Sequence, residues 1–330
     1  MFKKILFGVL IAALLSGCST PGLPPAAPTE KQLTHIKLPM GYIPNIQYAP
    51  FYTAVDRGYF KDAGIEIEFD YSTETDAAAL VGANTLQFSV VSGEQVLMAR
   101  AKGLPLVYVA AWYQKYPVSI VSMADQNIST PSDLRGRKIG LPGLYGANYI
   151  GLRAMLYAAG MQESDLTLDS IGYAQVEALT AGREQAVVGY AANEPVVLRS
   201  KGYAVKELRV ADYVQLASNG VITNEATIAQ HPELVRAFVA ALLHRLQDTI
   251  TDPDAAYEIS KKYVENLDQV DPQIQKLVLG TSIEQWRAPV LGISDPIAWE
   301  NMQKILLEMK LYTDPLDLKK AFTNEFVPAK

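Results

Sequence analysis

Short β-branched runs alternate with helix-forming segments from Ile36 to Val210, and that alternation restricts the fold more than any single motif. Residues 65–71, 86–91, 106–111 and 118–123 read as strands, and 52–64, 77–82 and 95–102 as helices. Thr130-Pro131-Ser132-Asp133-Leu134 reads as a short capped helix, followed by a strand at 137–142 and a helix at 149–159. Further strands are expected at 166–171, 186–190 and 204–210. From Pro232 the pattern is helical, over 233–249, 254–266, 273–279, 296–309 and 317–322. Strand and helix in this order predict an α/β protein on an open, largely parallel sheet. A chain of 330 residues favours two domains, each able to bury its own core.

Ligands of open α/β sheets sit at the carboxyl ends of strands. The first such end carries Gly41-Tyr42-Ile43-Pro44-Asn45-Ile46-Gln47-Tyr48-Ala49-Pro50-Phe51-Tyr52, a loop of aromatic faces and amides with almost no charge. Tyr42, Asn45, Tyr48 and Phe51 are therefore candidate ligand contacts. Later strand ends and helix openings add Ser92, Glu94, Trp112, Tyr145, Asn148, Tyr173, Tyr190, Asn193 and Glu194, with Tyr113 and Tyr116 following Trp112. Aromatic faces from two sides can sandwich a planar ring, at about 0.5–1.5 kcal/mol per pair beyond area burial. The polar members can read the edge of a heterocycle or a chain of hydroxyls. Each has a plainer alternative: a tyrosine at a sheet edge packs amphipathically, Asn193 caps a helix with Pro195 in its first turn, and Glu94 faces a helix dipole.

Charge and reactive residues exclude several classes. The 29 Lys and Arg against 35 Asp and Glu leave a net charge of −6 without a clustered basic stripe, so no nucleic-acid partner is expected. Cys18 is the one cysteine, which removes disulfides, thiolate metal sites and a cysteine nucleophile from the rest of the chain. His35, His231 and His244 are too few and too scattered for a metal centre, and no metal or cofactor is expected. Gly143-Leu144-Tyr145-Gly146 opens a helix, as anion sites do, but gathers no basic side chain; Arg153 reads as a surface residue. At the N-terminus, Lys3-Lys4 precede an apolar run too short to span a bilayer as a mature helix. Leu15-Ser16-Gly17-Cys18 resembles the lipobox of bacterial lipoproteins, implying a signal peptide at 1–17 and lipid on the Cys18 sulfur. The Pro- and Ala-rich residues 18–32 then serve as a linker.

The pieces G-Y-I-P-N…P-F-Y-T-A-V-D-R-G-Y-F-K-D-A-G-I-E-I-E, V-S-G-E-Q-V-L-M-A-R-A-K-G-L-P-L-V, S-D-L-R-G-R-K-I-G-L-P-G and G-Y-A-A-N-E-P run in order over roughly residues 36–310. Together they resemble the family of periplasmic solute-binding proteins that also includes the thiamin-pyrimidine synthases of yeast. The resemblance implies a two-lobed periplasmic-binding-protein fold of the type II kind, with a hinge and a ligand cleft between the lobes. Lobe 1 would comprise 33–120 and 222–330, and lobe 2 would comprise 121–221. It also implies the permease and ATPase of an ABC importer as partners, and a place on the extracytoplasmic face of the cell membrane, held by lipid alone. Within the family the chain looks most like the bacterial lipoproteins that bind riboflavin. Binding of a formylaminopyrimidine or hydroxymethylpyrimidine precursor is the alternative, ahead of a sulfonate or nitrate-type ligand. An enzyme is not expected, because pyrimidine synthesis in the yeast relatives implies a cysteine-rich iron segment that this chain lacks.

Overall fold

Pro39 lies inside the first strand, where it has no N–H to donate, and its carbonyl accepts the Ser89 hydroxyl at 2.9 Å. That contact sets β1 (Thr34–Gly41) beside β3 (Ser89–Val91) in the computed structural model, which describes residues 33–329. The expected signal peptide, Cys18 and the linker lie outside the described residues. The other edge of β1 pairs in parallel with β2 (Ile65–Thr73), from Thr34 opposite Ile65 to Pro39 opposite Asp70. β3 and β4 (Leu106–Ala111) flank β10 (Gly220–Asn224), which runs antiparallel to both. The pair β1-β2 and the three strands β3-β10-β4 are separate ladders set side by side at β1 and β3, together called the first sheet. The second sheet is built of β5 (Val118–Met123), β6 (Lys138–Leu141), β7 (Thr167–Ser170), β8 (Ala186–Tyr190) and β9 (Val205–Arg209), in the order β7-β6-β8-β5-β9.

The sheets are mixed rather than largely parallel, which corrects the expectation from element order. β5 is antiparallel to β8 and β9, as β10 is to β3 and β4. Both are strands by which the chain enters the other sheet. Residues 112–117 carry it from β4 to β5, and 210–219 return it from β9 to β10. The two passages are tied together, since Trp112 N–H and Tyr113 N–H both donate to the Asn219 carbonyl, at 3.1 and 2.9 Å. β10 was not among the expected strands; its five residues are buried but begin at a glycine and are too few to show a period. The expected lobe boundaries, 120/121 and 221/222, fall inside β5 and β10, whereas the change of sheet precedes each strand.

The helix expected over 52–64 is two helices, Ala49–Asp56 and Tyr59–Asp62, separated at Gly58, whose φ of +77° ends the first. Toward the C-terminus the helices Pro232–Thr251, Pro253–Ser260, Pro272–Trp286 and Pro296–Glu308 each start with a proline in the first turn. They bury large aromatics against the first sheet. Phe238 stacks on Phe88 with ring centroids 4.3 Å apart, and Trp299 stacks on Phe322 at 5.1 Å. Trp286 closes over the passage at Trp112, 5.8 Å from its ring.

Candidate functional site

β1 ends at Gly41 with φ +81°, where a β-carbon would lie 2.7 Å from Cγ of Glu74. Only glycine allows both that conformation and that approach. The turn brings the opening loop against the first turn of the helix Glu74–Gly82. Within the loop, Asn45 Oδ1 accepts the Gln47 N–H at 2.9 Å and caps the short turn Ile46–Tyr48. Tyr48 is thereby turned inward; its hydroxyl donates to the Met40 carbonyl at 2.7 Å and its ring stacks on Trp112 at 5.4 Å.

A cavity of about 240 Å³ lies over this corner. From the first sheet and the passages come Tyr42, Asn45, Gln47, Tyr48, Glu74 with its threonine neighbours, Gln95, Trp112, Tyr113 and Asn219. From the loops of the second sheet come Pro142, Tyr145, Asn148, Tyr173, Gln175, Tyr190, Asn193 and Glu194. Tyr42 and Tyr173 meet edge to face, with centroids 5.4 Å apart. No Lys, Arg, His or Cys is among the described residues that line the cavity.

Two carboxylates set its electrostatics. Glu74 Oε1 accepts Asn219 Nδ2–H at 3.1 Å, and Oε2 accepts the Ser92 N–H at 3.2 Å. Asn219 Oδ1 in turn accepts the Tyr190 hydroxyl at 3.4 Å, so a polar chain crosses from one sheet's loops to the other's. Burial pushes the Glu74 carboxyl well above the usual carboxylate range. Glu194 Oε2 accepts the Tyr190 N–H at 2.7 Å, and burial pushes its carboxyl up to about 7. The Tyr42 hydroxyl is raised to about 12, by burial first and the Glu194 charge second.

Ten of the thirteen candidate contacts line the cavity: Tyr42, Asn45, Tyr48, Trp112, Tyr145, Asn148, Tyr173, Tyr190, Asn193 and Glu194. Phe51, Ser92 and Glu94 do not. Phe51 is fully buried and meets Trp112 edge-on from behind, at 5.3 Å. Ser92 and Glu94 are fully buried beneath Glu74, because the helix Gly93–Ala101 packs its first turn inward. Sequence reasoning missed Glu74, Gln47, Gln95, Gln175 and Asn219. Glu74 stands between two threonines in Ser72-Thr73-Glu74-Thr75-Asp76, a strand end that opens a helix, and that same rule could have found it.

Residues 45–256 match the family described as NMT1/THI5 like. The chain belongs to that family. Among its relatives is the riboflavin-binding protein RibY of Chloroflexus aurantiacus, 40% identical, the match covering 99% of this chain and 98% of that protein. The formylaminopyrimidine-binding protein of Halalkalibacterium halodurans is 26% identical over 97% and 98% of the two chains. A Legionella pneumophila protein named 4-amino-5-hydroxymethyl-2-methylpyrimidine phosphate synthase is 21% identical over 89% and 93%. Among solved structures, the aliphatic sulphonate binding protein SsuA of Escherichia coli superposes with a TM-score of 0.71 at 14% identity, covering 87% of this chain and 96% of that one. The alkanesulfonate-binding SsuA of Xanthomonas axonopodis pv. citri, bound to MOPS, gives 0.68 at 15% identity over 90% and 99%. The fold of this NMT1/THI5-like chain is thus the two-lobed fold of periplasmic binding proteins. No described helix is long and apolar enough to cross a membrane.

Proposed function

We propose that this chain is the solute-binding component of an ABC importer and that its solute is riboflavin. The observation that carries the reading is the cavity's lining. Tyr48 and Trp112 form a stacked aromatic wall, Tyr42, Tyr145, Tyr173 and Tyr190 add rings from both sheets' loops, and amides and two carboxyls supply the polar contacts. A flat heteroaromatic ring with a hydroxylated side chain suits such a lining. A sulfonate would meet Glu74 and Glu194 with no cation among the lining residues. The 40% identity to a protein named for riboflavin binding supports the same solute.

A second reading, binding of a formylaminopyrimidine, has the support of the 26%-identical relative. Pyrimidine synthesis is disfavoured, because neither a lysine nor a cysteine is among the described residues lining the cavity. On the transport reading, Cys18 carries the lipid and the linker through residue 32 holds the body on the extracytoplasmic face, where permease and ATPase subunits receive the solute. We place the division between the lobes in the two passages, so that lobe 1 comprises 33–111 with 220–330 and lobe 2 comprises 118–209, a few residues from the boundaries 120/121 and 221/222 expected from the sequence.

The test is a titration of the protein lacking residues 1–17 with riboflavin, followed by quenching of flavin fluorescence, in parallel with thermal melts. Saturable binding and a raised melt support the reading; at one hundred times Kd the stabilisation is about 2.7 kcal/mol. A melt raised by formylaminopyrimidine and untouched by riboflavin replaces the solute and keeps the transport role.

A further inference from the structure

Beneath the cavity, Ser92 Oγ lies 2.5 Å from Glu74 Oε2 and 2.5 Å from Glu94 Oε1. A serine hydroxyl has one proton to give, and two ionised carboxylates offer none. Each of these short contacts needs a proton between its oxygens, so one glutamate must supply the second. Its place follows from the surroundings. Glu94 is fully buried, and its Oε2 has no hydrogen-bond partner among the described residues. Glu74 opens onto the cavity and accepts, besides the serine hydroxyl, the Ser92 N–H and the Asn219 amide. An unpaired oxygen is far cheaper to bury on a neutral acid than on an anion. The proton therefore sits on Glu94, which donates to Ser92 Oγ, while Ser92 donates to Glu74.

We infer that Glu74 is a specificity-determining acceptor for an N–H or O–H donor on the solute, held ionised by a proton stored on Glu94 and relayed through Ser92. Glu94 and Ser92 act as positioning residues. The assignment rests on the reading that the cavity takes riboflavin, which offers an imide N–H and ribityl hydroxyls. Around Glu74 the other titratable groups are Glu94 below it, the phenols of Tyr48, Tyr116, Tyr173 and Tyr190, whose own ionisation burial defers, and Glu194 at the same cavity. No cation lines the cavity among the described residues. Burial lifts the Glu74 carboxyl to about 7 and the Glu94 carboxyl above it, the charge on Glu74 adding to the latter.

The experiment measures riboflavin affinity from pH 5.5 to 8.5, with proton release read by calorimetry in buffers of different ionisation enthalpy. Below about pH 7 the affinity of the wild type should weaken about tenfold per pH unit, with a proton released on binding. Glu74→Gln should bind about 10- to 100-fold more weakly at pH 8 and lose most of the weakening below pH 7, and adding Glu194→Gln, which removes the other carboxyl of the cavity, should leave a flat profile. Ser92→Ala removes a donor from Glu74 and should move the midpoint to higher pH. In the ligand-free protein at pH 7.5, the infrared carbonyl band of a protonated carboxyl should be present and should lose more intensity in Glu94→Gln than in Glu194→Gln. A flat wild-type profile without proton release overturns the inference and leaves the riboflavin reading standing. So does a Glu74→Gln variant that binds and titrates like the wild type, an unmoved midpoint in Ser92→Ala, or a band that Glu94→Gln leaves at full intensity. If the wild type binds no riboflavin at any pH, the riboflavin reading falls and the acceptor role falls with it.

Discussion

Trp112 stacks on Tyr48 with ring centroids 5.4 Å apart and planes 28° from parallel, while only 3% of Trp112 is exposed. One ring is thus a wall of the cavity and a member of the core, braced by Phe51, Tyr113 and Trp286. Trp112→Ala removes both roles. It should cost about 3–5 kcal/mol of stability through the void left behind. Riboflavin binding should weaken by a further 1–3 kcal/mol or so. Tyr145 lines the same cavity but is 71% exposed, so Tyr145→Ala should weaken binding and leave stability unchanged. Urea denaturation beside a flavin titration separates the two effects. An unchanged urea midpoint in Trp112→Ala contradicts the core role.

Gly189 fixes where Glu194 can lie. A β-carbon there would sit 2.2 Å from Glu194 Oε2 and 2.3 Å from its Cδ. Gly189→Ala must therefore push the carboxylate off the Tyr190 N–H, leaving a backbone donor without its partner at a cost of about 1–3 kcal/mol. Because both changes break the same bond, Gly189→Ala and Glu194→Ala should cost less together than the sum of the two alone. Additive losses in a double-mutant cycle would mean that the two residues act independently.

Much of this site was legible because strand ends are easy to find and aromatic or amide residues there have few other reasons to cluster. Tyr42, Asn45, Tyr173 and Glu194 all reach the cavity from such ends. The rule fails where a helix's first turn points into the protein instead of along the sheet edge, which is why Ser92 and Glu94 are buried under Glu74. It fails again at Asn219, which occupies a connecting passage with no period to mark it; its role comes from pairing with a passage about a hundred residues earlier in the chain. The mixed direction of the sheets was hidden for the same reason. Element order records alternation, whereas the direction of β5 and β10 depends on which sheet each joins.

The Glu194 carboxyl gives the ligand-free protein a pH dependence of definite sign. Its pKa is raised in the folded state to about 7, from an ordinary 4.5. The folded protein keeps this proton over a range in which the unfolded chain has already lost it. The group's contribution to stability is therefore fully present below about pH 4.5 and is lost as pH rises through about 7. Glu194→Gln cannot ionise, so at pH 8 it should be more stable relative to wild type than at pH 4.5, by on the order of 2–3 kcal/mol. Denaturation curves at the two pH values check this, and a difference between the proteins that does not grow with pH would show that Glu194 ionises freely in the fold.

Tyr42 and Tyr173 come from loops of different sheets, after β1 and after β7, and their rings meet edge to face 5.4 Å apart. Tyr173 is otherwise 67% exposed, so the contact adds little to the folding of either part. It exists only while the two loops are close. An edge-to-face pair contributes about 0.5–1.5 kcal/mol, which is the size of effect that shifts a balance between closed and open lobes without altering the fold. If the solute is riboflavin, as proposed, removing the ring in Tyr173→Ala should therefore lower the closed population and speed its release by about 2- to 10-fold. Association, which begins from the open form, should change little. Stopped-flow measurement of both rates distinguishes this from loss of a simple ligand contact by adding Tyr42→Ala and the double variant. If the pair acts as a latch, either single change releases the same contact and the double variant dissociates no faster than the singles. Multiplying effects would assign the two rings to the solute instead of to each other.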